Sequence, residues 1–163
     1  RVEGNLLAAK QEIDKLALLY PQGHLLGIEE AQAAVANVAR FDVFQLAAAW
    51  MGGDVARVAR LLEGLEAGGE EPVLLLWAVS DDIRTLIRLT AALKQGQSVA
   101  SERNSLRLWG DKQTLAPKAV QRIAIGRLIT ALQDCARIDR IIKGAEEGDA
   151  WGEFKALVTG LAA

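Results

Sequence analysis

An all-α fold is predicted by three features of this 163-residue sequence. Hydrophobic residues make up 51% of the chain and aromatic residues only 5%, so the apolar content is mostly Ala and Leu, which lose little conformational freedom in a helix. Apolar residues recur at three- and four-residue steps, which places them on one face of a helix. No stretch alternates convincingly with period two, so we predict no strand.

The first forty residues predict two helices with modest apolar surface. Asn5 can cap the first helix, and Pro21 and Gly23 stop it. The second helix is predicted over about residues 28–39. Two such helices could not fold independently. The break near Arg40–Asp42 is the best domain boundary. We therefore predict a small helical unit over residues 1–40 and a helical bundle over residues 41–163.

The first half of the bundle is predicted to be three helices separated by glycines. Asp42 is expected to cap a helix that runs through Met51. Asp54 is expected to cap the next helix, which runs to about Ala67. The residues of that helix that face inward are Val58, Leu61, Leu62 and Leu65. Pro72 lies in the first turn of a long helix that reaches about Lys94 and is apolar nearly all round until Ser80. A segment of that kind is normally buried on several sides, so we predict that it is the central helix.

The second half of the bundle is less regular at its start. Between Ser98 and Lys112 we predict one short helix followed by Leu108-Trp109-Gly110, and Pro117 is expected to open another helix. A long helix that ends at Gly144 follows, and a last helix covers about residues 149–161. The apolar stripe of the helix that ends at Gly144 consists of Leu128, Leu132, Cys135, Ile138 and Ile142. That of the last helix consists of Trp151, Phe154, Leu157 and Val158.

Composition excludes several classes of function. The net charge of −2 and the pI near 5.5 argue against general coating of nucleic acid but leave room for a local basic patch. The single cysteine, Cys135, cannot form an internal disulfide and fits a reducing cytoplasm. No apolar run reaches the roughly 18 residues that a membrane span needs, so we expect a cytoplasmic protein without a membrane partner. The chain starts at Arg1 without an initiator Met, which we interpret as a piece of a longer protein.

No catalytic, cofactor-binding or metal-binding residue is predicted. No Gly-rich turn is followed by Lys and Ser or Thr, as a P-loop requires. His24 is the only histidine and Cys135 the only thiol, so neither a triad nor a zinc site can be assembled. His24 is expected in a solvated turn and Cys135 in the core. Asp139 and Lys143 are four residues apart on one helix and are expected to form an ordinary ion pair.

One basic cluster surrounds a tryptophan in the irregular segment. It consists of Trp109 with Arg103, Arg107, Lys112, Lys118 and Arg122. Basic residues attract phosphates, and an exposed aromatic ring can stack on a base for roughly 1–3 kcal/mol. The alternative is that Trp109 fills the core while the charges are solvated. The residues alone favour the buried tryptophan, because tryptophans are usually highly buried.

Several runs in this sequence follow a known family in order and spacing. They are Glu3-Gly4-Asn5-Leu6-Leu7-Ala8-Ala9, Asp42-Val43-Phe44-Gln45-Leu46, Gly53-Asp54, Leu61-Leu62-Glu63-Gly64-Leu65, Gly69-Glu70-Glu71-Pro72-Val73-Leu74-Leu75-Leu76, Arg84-Thr85-Leu86 and, near the end, residues 132–139 and 151–157. Together they resemble the C-terminal part of the delta subunits of bacterial DNA polymerase III clamp loaders. In active AAA+ clamp-loader ATPases the first helix begins Gly-Ser-Leu-Arg, and its arginine senses the nucleotide phosphate. Leu7 stands at that arginine position and cannot donate to phosphate oxygens, which fits the non-hydrolysing delta members.

The resemblance implies a role in assembly. Residues 1–40 would be the end of the AAA+ lid domain, and residues 41–163 the collar domain, which packs against tau/gamma and delta-prime subunits in a pentameric ring. The sliding clamp would be gripped by the N-terminal region of delta, which these residues do not match. Primed DNA lies beneath the collar, so the resemblance strengthens the hypothesis that Trp109, Arg103, Arg107 and Lys112 contact DNA. No cofactor is expected.

Three alternatives remain at this stage. The first is the collar of a tau/gamma or delta-prime subunit, which shares the architecture. The second is a helical DNA-binding regulator, which would need a compact set of base-reading polar residues on one helix. The third is a helical enzyme, which would need a convergent polar pocket.

Overall fold

The computed structural model describes residues 42–163, which form seven helices and no strand. Helix α1 covers residues 42–51, followed by α2 (Val55–Ala67), α3 (Pro72–Lys94), α4 (Val99–Glu102), α5 (Lys112–Arg122), α6 (Ile125–Ile142) and α7 (Ala150–Ala162). The predicted all-α class is confirmed for these residues. The two helices predicted before residue 40, and the domain boundary itself, lie outside the described range.

Most predicted helix ends are found where local chemistry places them. The Asp54 carboxylate accepts a hydrogen bond from the Arg57 N–H at 3.0 Å and so caps α2. Pro72 is the first residue of α3, where its missing N–H leaves no helical bond unmade. Gly144 follows α6 with a φ of +78°, which glycine adopts without steric cost. Asp42, however, is itself helical, so the prediction that it precedes α1 as its N-cap is wrong.

Helix α3 is the centre of the bundle, as predicted. It packs against α4, α5, α6 and α7, and its Ile83, Leu86 and Leu89 are completely buried. One edge of its apolar first half is different. Leu74 and Trp77 are 44% and 58% exposed, because no described element covers that side of α3.

The remaining core side chains come mainly from the helices around α3. Trp50 of α1 and Phe154 of α7 are the largest fully buried residues. The apolar stripe of α6 buries Leu128, Cys135 and Ile138. Trp151 is partly buried and meets Phe154 edge to face, with ring centroids 6.0 Å apart, which is a favourable arrangement for two aromatic rings.

The position of Pro117 within its helix differs from the prediction. Helix α5 begins five residues earlier, at Lys112, and Pro117 lies inside it. The N–H groups of Gln113 and Leu115 bond to the carbonyls of Gly110 and Asp111, so the first turn forms before the proline. Pro117 then leaves only the bond to the Gln113 carbonyl unmade, and the helix continues to Arg122.

Candidate nucleic-acid interface

Trp109 lies in the connection between α4 and α5, with 54% of its surface exposed. The preceding residue, Leu108, is completely buried. Because Leu108 occupies the core position of this connection, the indole of Trp109 stays at the surface. The interpretation that Trp109 fills the core, which the residues alone favoured, is therefore wrong.

The backbone around Trp109 is held by its own hydrogen bonds. The N–H of Leu108 donates to the Arg103 carbonyl at 2.9 Å, and the N–H of Trp109 donates to the Arg107 carbonyl at 3.0 Å. Arg107 has a φ of +56°, a left-handed conformation that costs a residue with a Cβ roughly 1–2 kcal/mol. The connection is thus a defined turn that contains one strained residue.

Arg103 and Arg107 accompany Trp109 at the surface. Both side chains are exposed, and Arg103 Nη1 makes one long contact, 3.4 Å, to Gln113 Oε1. An exposed guanidinium retains most of its five donors for a phosphate group. Two arginines and an aromatic ring are therefore all exposed within residues 103–109, a combination that suits a single-stranded nucleic acid.

Lys112 is placed differently from the arginines. Its Nζ lies 2.7 Å from Oδ1 of Asp82, whose side chain is only 7% exposed, while that of Lys112 is 28% exposed. Burial raises the pKa of the Asp82 carboxyl, and the nearby Lys112 ammonium opposes that rise. The ammonium of Lys112 is therefore directed into the protein, toward α3.

The Asp82–Lys112 pair was missed by sequence reasoning. Thirty residues separate the two partners, so no local spacing predicts their contact. A signal was nevertheless present. Asp82 falls on the stripe of Val79, Ile83 and Leu86, and a carboxylate at a core position requires a cationic partner.

The two other basic residues of the cluster are Arg122 and Lys118. The guanidinium of Arg122 donates to the carbonyls of Trp50 at 2.9 Å and Leu161 at 2.7 Å, so it serves the fold. Lys118 is exposed on α5. The basic cluster seen in the sequence thus contains exposed cations, a lysine in a partly buried ion pair and an arginine bound to helix carbonyls.

An apolar groove of about 300 Å³ lies beside Trp109. Phe44, which is 60% exposed, and Met51 of α1 line it, and Trp109 and Leu115 contribute from the segment that enters α5. The groove extends the exposed apolar surface of the indole toward α1. Sequence reasoning gave no indication of it, because residues 44–51 and 109–115 meet only in the tertiary structure.

The structure also tests the positions predicted for Cys135 and for the Asp139–Lys143 pair. Cys135 is buried, so the core position predicted for it is confirmed, and burial raises the pKa of its thiol to about 11. Asp139 and Lys143 form the predicted pair at 2.8 Å. Within residues 42–163, no three His, Cys, Asp or Glu side chains are grouped to hold a metal ion. Leu7 and His24 lie outside this range.

Comparison with known proteins identifies the family. The family model described as DNA polymerase III delta subunit, C-terminal domain, matches residues 40–152. The chain belongs to this family. The resemblance to delta subunits is thereby confirmed.

Two curated relatives carry the name DNA polymerase III subunit delta. The protein of Haemophilus influenzae is 31% identical over an alignment of 157 residues that covers 91% of this chain. The protein of Escherichia coli is 29% identical over an alignment of 159 residues that covers 95% of this chain. The chain spans 45% of the length of each relative.

None of the helices described between residues 42 and 163 is long and apolar enough to cross a membrane.

Proposed function

We propose that this delta-family chain is a non-catalytic assembly element of the clamp loader that places the sliding clamp on primed DNA. Residues 41–163 would form the collar domain, and residues 1–40 the end of the AAA+ lid domain. The collar would hold delta in a pentameric ring with tau/gamma and delta-prime subunits. Leu7, at the position of the phosphate-sensing arginine, supports a subunit without ATPase activity of its own. A loader of this kind works in the cytoplasm.

One observation carries the docking role. Leu74 and Trp77 are about one helical turn apart on the central helix, and about half of the surface of each is exposed. Exposed tryptophans are frequent anchors of protein interfaces, and burial of apolar surface contributes roughly 25 cal/mol per Å² to association. Because α3 is packed against four other helices, this surface is presented on a rigid element. It is the surface that we expect a neighbouring subunit to cover.

The docking role is tested with two matched tryptophan variants. Trp77→Ala and Trp109→Ala each remove an exposed indole, of 58% and 54% exposure. Full-length delta with either substitution is mixed with tau/gamma and delta-prime subunits, and the complex is resolved by size exclusion. We expect Trp77→Ala to weaken co-elution at micromolar concentration, and Trp109→Ala to leave it intact. Unchanged assembly of the Trp77→Ala loader would contradict this docking surface.

A second activity is supported by the exposed Trp109. We propose that Trp109 stacks on a base of primed DNA while Arg103 and Arg107 contact phosphates. Loss of one stacked base costs roughly 1–3 kcal/mol, or about 5- to 150-fold in affinity. The affinity of the assembled loader for a labelled primer–template, measured by fluorescence anisotropy, should fall by such a factor in Trp109→Ala. An affinity equal to that of the wild type would exclude the contact.

The alternative of a DNA-binding regulator makes a different prediction. A regulator would bind a DNA duplex by itself, whereas we expect strong binding of DNA only in the assembled loader. A gel shift with the chain alone separates the two possibilities. The alternative of a tau/gamma or delta-prime collar loses support, because the curated relatives are named as delta subunits.

A further inference from the structure

We propose that Asp82 and Lys112 form a positioning pair that holds the Trp109 turn against the central helix, and that Lys112 does not bind a DNA phosphate. The inference rests on the proposed contact between Trp109 and DNA. It assigns to the pair a role that is distinct from that of the two exposed arginines.

The ion pair lies close to Trp109 along the backbone. The N–H of Lys112 donates to the carbonyl of Trp109 at 3.2 Å, so the two residues belong to one turn. The Nζ of the same lysine reaches Oδ1 of Asp82 at 2.7 Å. Movement of the Lys112 side chain away from α3 would therefore release one end of the turn that carries the indole.

The other end of the turn is held by Leu108. Its side chain is completely buried, and its N–H donates to the Arg103 carbonyl at 2.9 Å. Trp109 thus lies between an apolar anchor one residue before it and an ionic anchor three residues after it. Two anchors limit the positions of an exposed ring, which lowers the entropy cost of stacking on a base.

The charge balance explains why Lys112 stays with Asp82. The Asp82 side chain is 7% exposed, and a buried carboxylate that loses its cationic partner is strongly destabilising. A phosphate in solution offers Lys112 only a screened, partly solvated contact. Transfer of the ammonium from Asp82 to DNA would therefore cost more than it gains. Of the four residues predicted to contact DNA, Arg103, Arg107 and Trp109 remain free to do so.

The test measures the affinity of the assembled loader for a primer–template at several salt concentrations. Lys112→Met keeps the length of the side chain without its charge, and we expect a loss no larger than that of Trp109→Ala. The salt dependence should stay unchanged, because no phosphate contact is lost. Arg107→Gln should instead reduce the slope of log K against log salt by about 0.7–0.9. Lys155→Met removes an exposed pair with Glu66 and serves as the matched control, with unchanged affinity.

A double-mutant cycle separates positioning from an independent contact. If Lys112 acts through Trp109, Lys112→Met should add nothing to the loss caused by Trp109→Ala. Lys112→Arg, which can keep the pair with Asp82, should recover most of the affinity. Should Lys112→Met fail to fold, the double variant Asp82→Asn with Lys112→Met leaves no buried charge unpaired and replaces it in the cycle.

The outcomes distinguish this inference from the function on which it rests. Wild-type affinity in Trp109→Ala would end the proposed DNA contact and the positioning role together. A Lys112→Met variant that lowers the salt slope, that is additive with Trp109→Ala, or that binds as tightly as the wild type would overturn the positioning role alone.

Discussion

The Arg122 guanidinium donates to the carbonyl of Trp50 at 2.9 Å, joining residues 72 positions apart. The same group donates to the carbonyls of Leu161 at 2.7 Å and Ala163 at 3.0 Å. These carbonyls lie at the C-terminal ends of α1 and α7, where the last carbonyls have no partner within the helix and attract a cation. Arg122 thus links the C-terminal ends of α1 and α7, which are far apart in the sequence.

Replacement of Arg122 should destabilise the fold. Arg122→Met removes several hydrogen bonds from one charged donor, and such bonds contribute about 1.5–3 kcal/mol. We expect a loss of that size in the free energy of unfolding, measured by urea denaturation. Arg122→Lys keeps the charge but not the planar fork and should lose less. Lys118→Met, exposed on the same helix, should stay within about 0.5 kcal/mol of the wild type.

Two glycines should respond oppositely to alanine. Gly64 lies inside α2, and a Cβ there would meet nothing within 4 Å, so Gly64→Ala should stabilise the protein by about 0.5–1 kcal/mol. Gly53 has a φ of +75°, and a Cβ there would lie 3.3 Å from Nε of Arg122. Gly53→Ala should therefore destabilise the protein by more than about 1 kcal/mol. The melting temperatures of both variants test this prediction. Equal shifts in melting temperature would contradict the helical conformation of Gly64 and the positive φ of Gly53.

The thiol of Cys135 should be unreactive in the folded protein. Its side chain is buried, and burial raises its pKa to about 11, so at pH 8 only about one group in a thousand is thiolate. We expect a disulfide reagent to modify Cys135 only as fast as the protein opens, and rapidly in denaturant. Rapid modification without denaturant would mean that α6 is not packed as described.

Asp82 and Glu153 should affect stability at low pH with opposite signs. Burial raises the pKa of Asp82 above 3.8, whereas a hydrogen bond from Arg137, 2.7 Å long, lowers that of Glu153 below 4.5. The folded state binds the Asp82 proton more tightly than the unfolded chain does, so the contribution of Asp82 is present below 3.8 and is lost as the pH rises through its folded pKa. The contribution of Glu153 to the free energy of unfolding is present above pH 4.5 and is lost as the pH falls through its folded pKa.

The measurement compares each protein with its amide variant. As the pH rises through this window, the unfolding free energy of the wild type should fall relative to that of Asp82→Asn. Over the same window it should rise relative to that of Glu153→Gln. A carboxyl titration by NMR that placed Asp82 below 3.8 would refute the first assignment.

The sequence by itself determined most of the secondary structure of the described residues. Asp54, Pro72 and Gly144 mark helix ends through local capping and backbone chemistry, which involves residues only a few positions apart. The start of α3 is apolar nearly all round, and this likewise predicted its central place, since such a segment is normally buried on several sides. Pro117 was misjudged because the bonds that start α5 form in the turn before it, which composition does not indicate.

Only the tertiary structure decided the candidate site. Leu108 and Trp109 are adjacent apolar residues, and nothing local tells which one enters the core. Lys112 and Arg122 are both cations of α5, yet one pairs with Asp82 and the other with helix carbonyls of α1 and α7. Such choices depend on partners 30 to 72 residues away. Burial and charge pairing are set by packing, and packing arises only when distant helices meet.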